Sequence, residues 1–98
     1  MIVEHALLQI RPGQSDRFVK AMRQARPLIA AQPGFHSIEV RPSIELPHQY
    51  ILLVKWDDVE SHRDGFRKSS EYEEWRTLLH DFYDSMPTIN YFGPSIII

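Results

Sequence analysis

Five side chains in the segment Trp56–Trp75, WDDVESHRDGFRKSSEYEEW, are spaced to act together. His62, Phe66, Ser69, Tyr72 and Trp75 follow at intervals of four, three, three and three residues. On a helix those intervals place an imidazole, three aromatic rings and a hydroxyl on one stripe. Rings hold a flat aromatic ligand by stacking. A histidine titrates near neutrality and can take or give a proton. The chemistry this stripe can support is proton transfer to or from an aromatic molecule. His62 is the candidate base. Trp56, Phe66, Tyr72 and Trp75 are candidate pocket walls, and Arg76 is a candidate partner for an anionic oxygen. The plainer alternatives are core packing for the rings, a solvated charge for Arg76 and a surface position for His62.

The elements that must carry these residues can be read along the chain. Ile2 to Ile10 is a strand, and both of its faces are mostly apolar, which predicts that both are covered. Pro12-Gly13 ends it. From Gln14 to about Ala31, Phe18, Ala21, Met22, Ala25, Leu28 and Ile29 recur at helical spacing. Pro27 removes one backbone bond late in that helix, so a kink or early end is expected there. Pro33-Gly34 is the stop signal. Phe35 to Arg41 is a second strand, Pro42 to Gln49 a hairpin loop, and Tyr50 to Trp56 the strongest strand of the chain. Asp57 or Asp58 caps the next helix, Glu60 standing three residues after Asp57. Ser70-Glu71-Tyr72-Glu73 reads as a second capping box. The stripe is thus expected on two short helices meeting near Ser69 and Ser70, the second running through Leu78, Leu79, Phe82 and Tyr83. Met86-Pro87 ends it, Thr88 to Phe92 is a last strand, and Ser95 to Ile98 is an apolar tail. Gly65 falls inside a helix, where it costs about 1 kcal/mol against alanine. The order β-α-β-β-α(α)-β is the split βαβ, ferredoxin-like arrangement of the α+β class, with residues 1–98 as a single domain.

Composition narrows the function. The chain of 98 residues carries a net charge of -2 and has no basic stretch, which argues against nucleic acid as a partner. No apolar run reaches the roughly 20 residues of a membrane span. The start, MIVEHALLQI, lacks the basic leader of a signal peptide. With no cysteine there is no disulfide, thiolate nucleophile or cysteine metal site, and a reducing cytoplasm is the expected location. No histidine pair has local metal-binding spacing, and His5, His36, His48 and His80 show no role. Phosphate loops, nucleophile elbows and dinucleotide fingerprints are missing, so no metal and no bound cofactor is expected. A core this small, a doubly apolar first strand and the tail Ile96-Ile97-Ile98 predict a homodimer.

Several pieces together resemble the antibiotic biosynthesis monooxygenase family over nearly the whole chain. They are the strand ending at Pro12-Gly13, the helix closing at Gln32-Pro33-Gly34-Phe35, and the strand ending at Trp56. An acidic turn, His62, the Phe66-x-x-Ser69-x-x-Tyr72 spacing and a final strand after Met86-Pro87 complete the set. The resemblance implies a ferredoxin-like protomer that pairs sheet to sheet into a dimeric α+β barrel, with a pocket between sheet and helices. It implies a cofactor-independent monooxygenase oxidising a small phenol or hydroquinone with dioxygen. A phenolate can reduce dioxygen itself, so the protein need only bind the ring, take a proton, stabilise the anion and exclude water. A non-catalytic ligand-binding protein, or an isomerase or lyase on the same barrel, remains the alternative. By the same analogy Glu4 faces the pocket and orients a base or hydroxyl; the opposite parity would turn it into the dimer barrel. Tyr83 and Tyr91 are further candidates. Three positions depart from the haem-degrading branch: Ala6 for its asparagine, Phe66 for its tryptophan and Arg76 for its axial histidine. An arginine is no neutral axial ligand, which leaves His80, one turn on, as the sole substitute.

Overall fold

The computed structural model describes residues 1–98. Strand β1 (Ile2–Ile10) leads to helix α1 (Ser15–Ala30), strands β2 (Phe35–Pro42) and β3 (Gln49–Trp56), helix α2 (Ser70–Leu79) and the short strands β4 (Tyr83–Ser85) and β5 (Asn90–Phe92). The sheet is antiparallel, in the order β2-β3-β1-β4, with β5 on the same edge of β1 as β4. This is the ferredoxin-like α+β arrangement read from the sequence.

Period-two patterning decides which face of the sheet is buried. Glu4, Ala6, Leu8 and Ile10 point to the helices with Leu52, Val54 and Trp56 of β3, and all are buried. Phe18, Ala21, Met22, Ala25 and Ile29 of α1 and Trp75 and Leu79 of α2 close over them. Val3, His5, Leu7, Ile51, Leu53 and Phe92 lie on the other face, where Leu7 and Phe92 are exposed. Within the protomer that face has no cover.

Several local expectations shift. Helix α1 does not end early at Pro27, which lies inside it, and runs on to Ala30. Asp58, not Asp57, caps the turn after β3, its Oδ1 accepting from the Ser61 N–H at 2.8 Å. Ser69, not Ser70, caps α2: its Oγ accepts from the Tyr72 N–H at 3.2 Å. The second helix stops at Leu79, a single 3-10 turn (His80–Phe82) follows, and Tyr83 belongs to β4. The last strand is shorter than expected, Asn90–Phe92. Near Gly65 a Cβ would meet nothing closer than 3.7 Å, so no close approach explains that glycine. Gly34 is different. Its φ of +84° is left-handed, and a Cβ there would lie 2.8 Å from Ser61 Cβ. The Gly34 carbonyl also accepts the Asp57 N–H at 2.8 Å. The α1–β2 turn is thereby seated against the segment that carries His62.

Candidate active site

The stripe does not run on one straight helix. Residues Ser61–Gly65 form a wide π turn, Phe66–Lys68 a tight 3-10 turn, and Ser69 is extended at φ -85°, ψ 160° before α2 begins. Such widened turns favour functional sites because they re-aim side chains. Here the turn points His62 and Phe66 inward, and both are buried. Ser69 is spent on capping and does not line the cavity.

A cavity of about 100 Å³ lies between the sheet and these turns, lined among others by Glu4, His62, Phe66, Tyr72, Trp75 and Tyr83. Phe66 is its hub. Tyr72 and Trp75 meet it edge-on with centroids 5.3 and 5.4 Å away. Trp56 stacks behind it at 6.2 Å, fully buried and outside the lining. The parity question for Glu4 resolves toward the helices: it pairs with Val54 on one side and Tyr91 on the other, at 3% exposure.

Glu4 and His62 form one buried constellation. Glu4 Oε1 accepts the Trp56 indole N–H at 2.9 Å and lies 3.4 Å from His62 Nε2. His62 Nδ1 is 2.6 Å from the Tyr91 hydroxyl. Burial pushes the Glu4 carboxyl up to about 7, opposed by the Trp56 N–H and by the charge of Arg67. Burial also holds His62 down to about 4, with Arg67 adding to the effect. At neutral pH the imidazole is therefore neutral and the carboxyl divided between its two forms. Burial raises Tyr83 far above the usual phenol range, so it stays protonated.

Arg76 is not in this site. It is exposed and bound to Glu73 at 2.7 Å, as expected three residues apart on a helix. The arginine at the cavity is Arg67, whose guanidinium carbon stands 6.0 Å from the Tyr72 ring centroid. No acidic side chain pairs with it, as is also true of Arg11, Arg17, Arg23 and Arg26. His80, read as having no role, also lines the cavity, between the Tyr72 and Tyr83 rings at 6.2 and 5.5 Å. Its signal was present: position 80 lies eight residues after Tyr72, on the same face of a continuing helix. Arg67 gave no such signal, because it falls beside the stripe; it is exposed and stands at the edge of the cavity. The cavity His80 lines, of about 100 Å³, is far too small for the haem macrocycle. Haem does not fit these residues. No group of three or more histidine, aspartate or glutamate side chains is placed to hold a metal ion, and no helix is long and apolar enough to cross a membrane.

An antiparallel ferredoxin-like sheet with an aromatic cavity beneath two helices defines a class of small α+β proteins. Within that class the chain belongs to the antibiotic biosynthesis monooxygenase family, whose model matches residues 1–78. It is 44% identical over 92 residues to the uncharacterised protein YczJ of Bacillus subtilis, covering 94% of this chain and 97% of that one. A Bordetella bronchiseptica protein described as a candidate antibiotic biosynthesis monooxygenase superposes with a TM-score of 0.93 at 33% identity, over 97% of each chain. SnoaB of Streptomyces nogalater, a cofactor-independent oxygenase, shares the fold: TM-score 0.82 over 96% of this chain and 92% of its own, at 16% identity.

Proposed function

We propose that this protein is a cofactor-independent monooxygenase that oxidises a single-ring phenol or hydroquinone with dioxygen. The observation that carries the reading is a buried carboxyl–imidazole pair facing an aromatic cavity of about 100 Å³. The cavity is smaller than an engineered one of roughly 150 Å³ that holds benzene, so a single ring would enter only as the lining side chains yield, and the smallest phenols come first. Phe66, Tyr72 and Trp75 hold the ring by edge and face contacts. The Glu4–His62 pair takes the phenolic proton, and the electron pair remains as phenolate. Arg67 lends that anion a positive field. The phenolate passes one electron to dioxygen, and the resulting radicals combine to form a C–O bond at a ring carbon. The proton returns to the peroxide, and loss of water leaves the quinone. Substrate, dioxygen, quinone and water balance.

Oxygen uptake with a panel of single-ring phenols and hydroquinones is the test. Uptake at least tenfold above the uncatalysed rate is expected for one of them. Uptake at the background rate, with a panel member still bound, would favour a binding protein and end the oxygenase reading.

The working form in this proposal is a homodimer in the cytoplasm, closed by the uncovered sheet face. Val3, Leu7, Ile51, Leu53 and Phe92 present contiguous apolar surface there, which a second sheet would bury. His5 Nδ1 on the same face is sealed from solvent and has no partner in the protomer. Sedimentation at micromolar concentration should give twice the 11.5 kDa of the chain, and a monomer there removes this part of the proposal.

A further inference from the structure

The pair that takes the proton is not symmetric in its connections. His62 Nδ1 is 2.6 Å from the Tyr91 hydroxyl, and Nε2 lies 3.4 Å from Glu4 Oε1, close to it without a hydrogen bond. With the Tyr91 O–H donating to Nδ1, the ring proton sits on Nε2, the nitrogen nearer the carboxyl. In the other tautomer the Nε2 lone pair still faces Glu4. In the first arrangement, the one this inference takes, His62 has no free lone pair to offer a bound phenol. Glu4 differs. Its Oε1 accepts the Trp56 Nε1–H at 2.9 Å, while Oε2 accepts no hydrogen bond from the protein. That oxygen is also not sealed away, because His5 Nδ1 is the one fully enclosed side-chain polar atom lacking a partner. Glu4 lines the cavity, and Oε2 is its oxygen without a protein donor.

We infer that Glu4, through Oε2, is the catalytic proton acceptor of this pocket, and that His62 is a positioning residue which with Trp56 fixes the carboxyl. The inference rests on the oxygenase reading and deepens it. In the step, the phenol O–H bond breaks, its proton forms a bond to Oε2, and the electron pair stays on the phenolate oxygen. After dioxygen adds, Oε2 gives the proton back to the peroxide. The charged and titratable groups around Glu4 are His62 and Arg67 from the 61–68 turns, Tyr72 of α2, His80 after it, Tyr83 of β4 and Tyr91 of β5. Arg67 is the fixed charge among them, and it favours the carboxylate. Burial raises Glu4 to about 7, which makes it a competent acceptor at neutral pH.

Two measurements on the full chain decide it. The first is a carboxyl-carbon NMR titration of glutamate-labelled protein, with the Glu4 signal assigned as the one missing in Glu4→Gln. A midpoint near 7 is expected, and an ordinary carboxylate midpoint near 4.3 overturns the inference. The second is the pH profile of kcat/KM for the phenol found by oxygen uptake. Glu4→Gln should lose about 100-fold or more and also lose the acidic limb. Glu4→Asp should keep that limb, and so should His62→Gln, at reduced rate. A limb that persists in Glu4→Gln and vanishes in His62→Gln overturns the inference and returns the role to the imidazole. Absence of uptake by the wild-type protein overturns the proposed function instead.

Discussion

Glu4→Gln should give a protein whose folding stability climbs by about 3 kcal/mol from pH 4 to pH 6.5, and His62→Gln one whose stability falls by about the same from pH 4.5 to pH 7. Glu4 rises on folding from 4.5 to about 7. The folded state then binds more protons inside that window, so the stability Glu4 contributes is full below 4.5 and is lost as pH rises through 7. His62 falls on folding from 6.5 to about 4. The unfolded state binds more protons there, so its contribution is full above 6.5 and is lost as pH falls through 4. In the wild-type chain the opposed slopes cancel over most of the shared range. Folding near pH 5.5 converts a carboxylate and an imidazolium into a carboxylic acid and a neutral imidazole without net proton exchange. Removing either partner uncovers the slope of the other. Urea unfolding at fixed protein concentration, compared with wild type at pH 4.5, 5.5 and 6.5, reads the slopes directly. Variant and wild-type profiles that run parallel would show that the two groups are not buried as a pair.

Trp56→Ala should be the most damaging single substitution, with a loss of about 4 kcal/mol or more. Trp56 is fully buried and touches Phe35, His62 and Phe66 with ring centroids 5.5 to 6.2 Å apart. Truncating such a ring costs about 3–5 kcal/mol through lost burial and the cavity left behind. Loss of the indole N–H leaves Glu4 Oε1 short of a donor, about 1–3 kcal/mol more. Small domains hold roughly 5–15 kcal/mol in all, so the alanine variant should be largely unfolded or close to it. Trp56→Phe separates the two contributions. It keeps most of the ring, should lose about 1–2 kcal/mol, and should move the Glu4 midpoint upward because the donor that favours the carboxylate is gone. Denaturation midpoints with an unchanged denaturant slope make the comparison. A Trp56→Ala loss below about 1 kcal/mol would mean that the indole is not the hub of this core.

The frame was legible because it is written in short-range patterns. The apolar runs of Ile2–Ile10 and Tyr50–Trp56, helical spacing around Phe18 and Ile29, and the turns at Gly13 and Gly34 all appear in the structure where the sequence places them, to within a residue. The rings of the candidate site were legible for the same reason, since Phe66, Tyr72 and Trp75 are close in sequence and converge in space. Contacts between distant segments were not. Glu4 meets Trp56 across the β1–β3 register, and Tyr91 meets His62 only because β5 pairs with β1 opposite Glu4. Nothing within a window of the chain encodes those registers. The arginine was misplaced by local geometry. Arg67 lies on the tight turn Phe66–Lys68 that breaks the helical stripe, and from there it reaches the edge of the cavity. Arg76, nine residues on, finds a helical partner in Glu73 and stays outside.

Strands β4 and β5 lie along one edge of β1, with residues 86–89 between them outside the ladder. Pro87 is at home in that gap, since a residue without an N–H breaks nothing where no strand bond is made. Met86, Pro87 and Ile89 all line the cavity. The frame and the chamber wall are thus built from different stretches of the same edge: one spends its backbone on hydrogen bonds, the other lends its side chains to the cavity. Residues in the gap can change size and shape without disturbing a register or a ladder, which separates the evolution of what the chamber admits from the evolution of what keeps the protein folded.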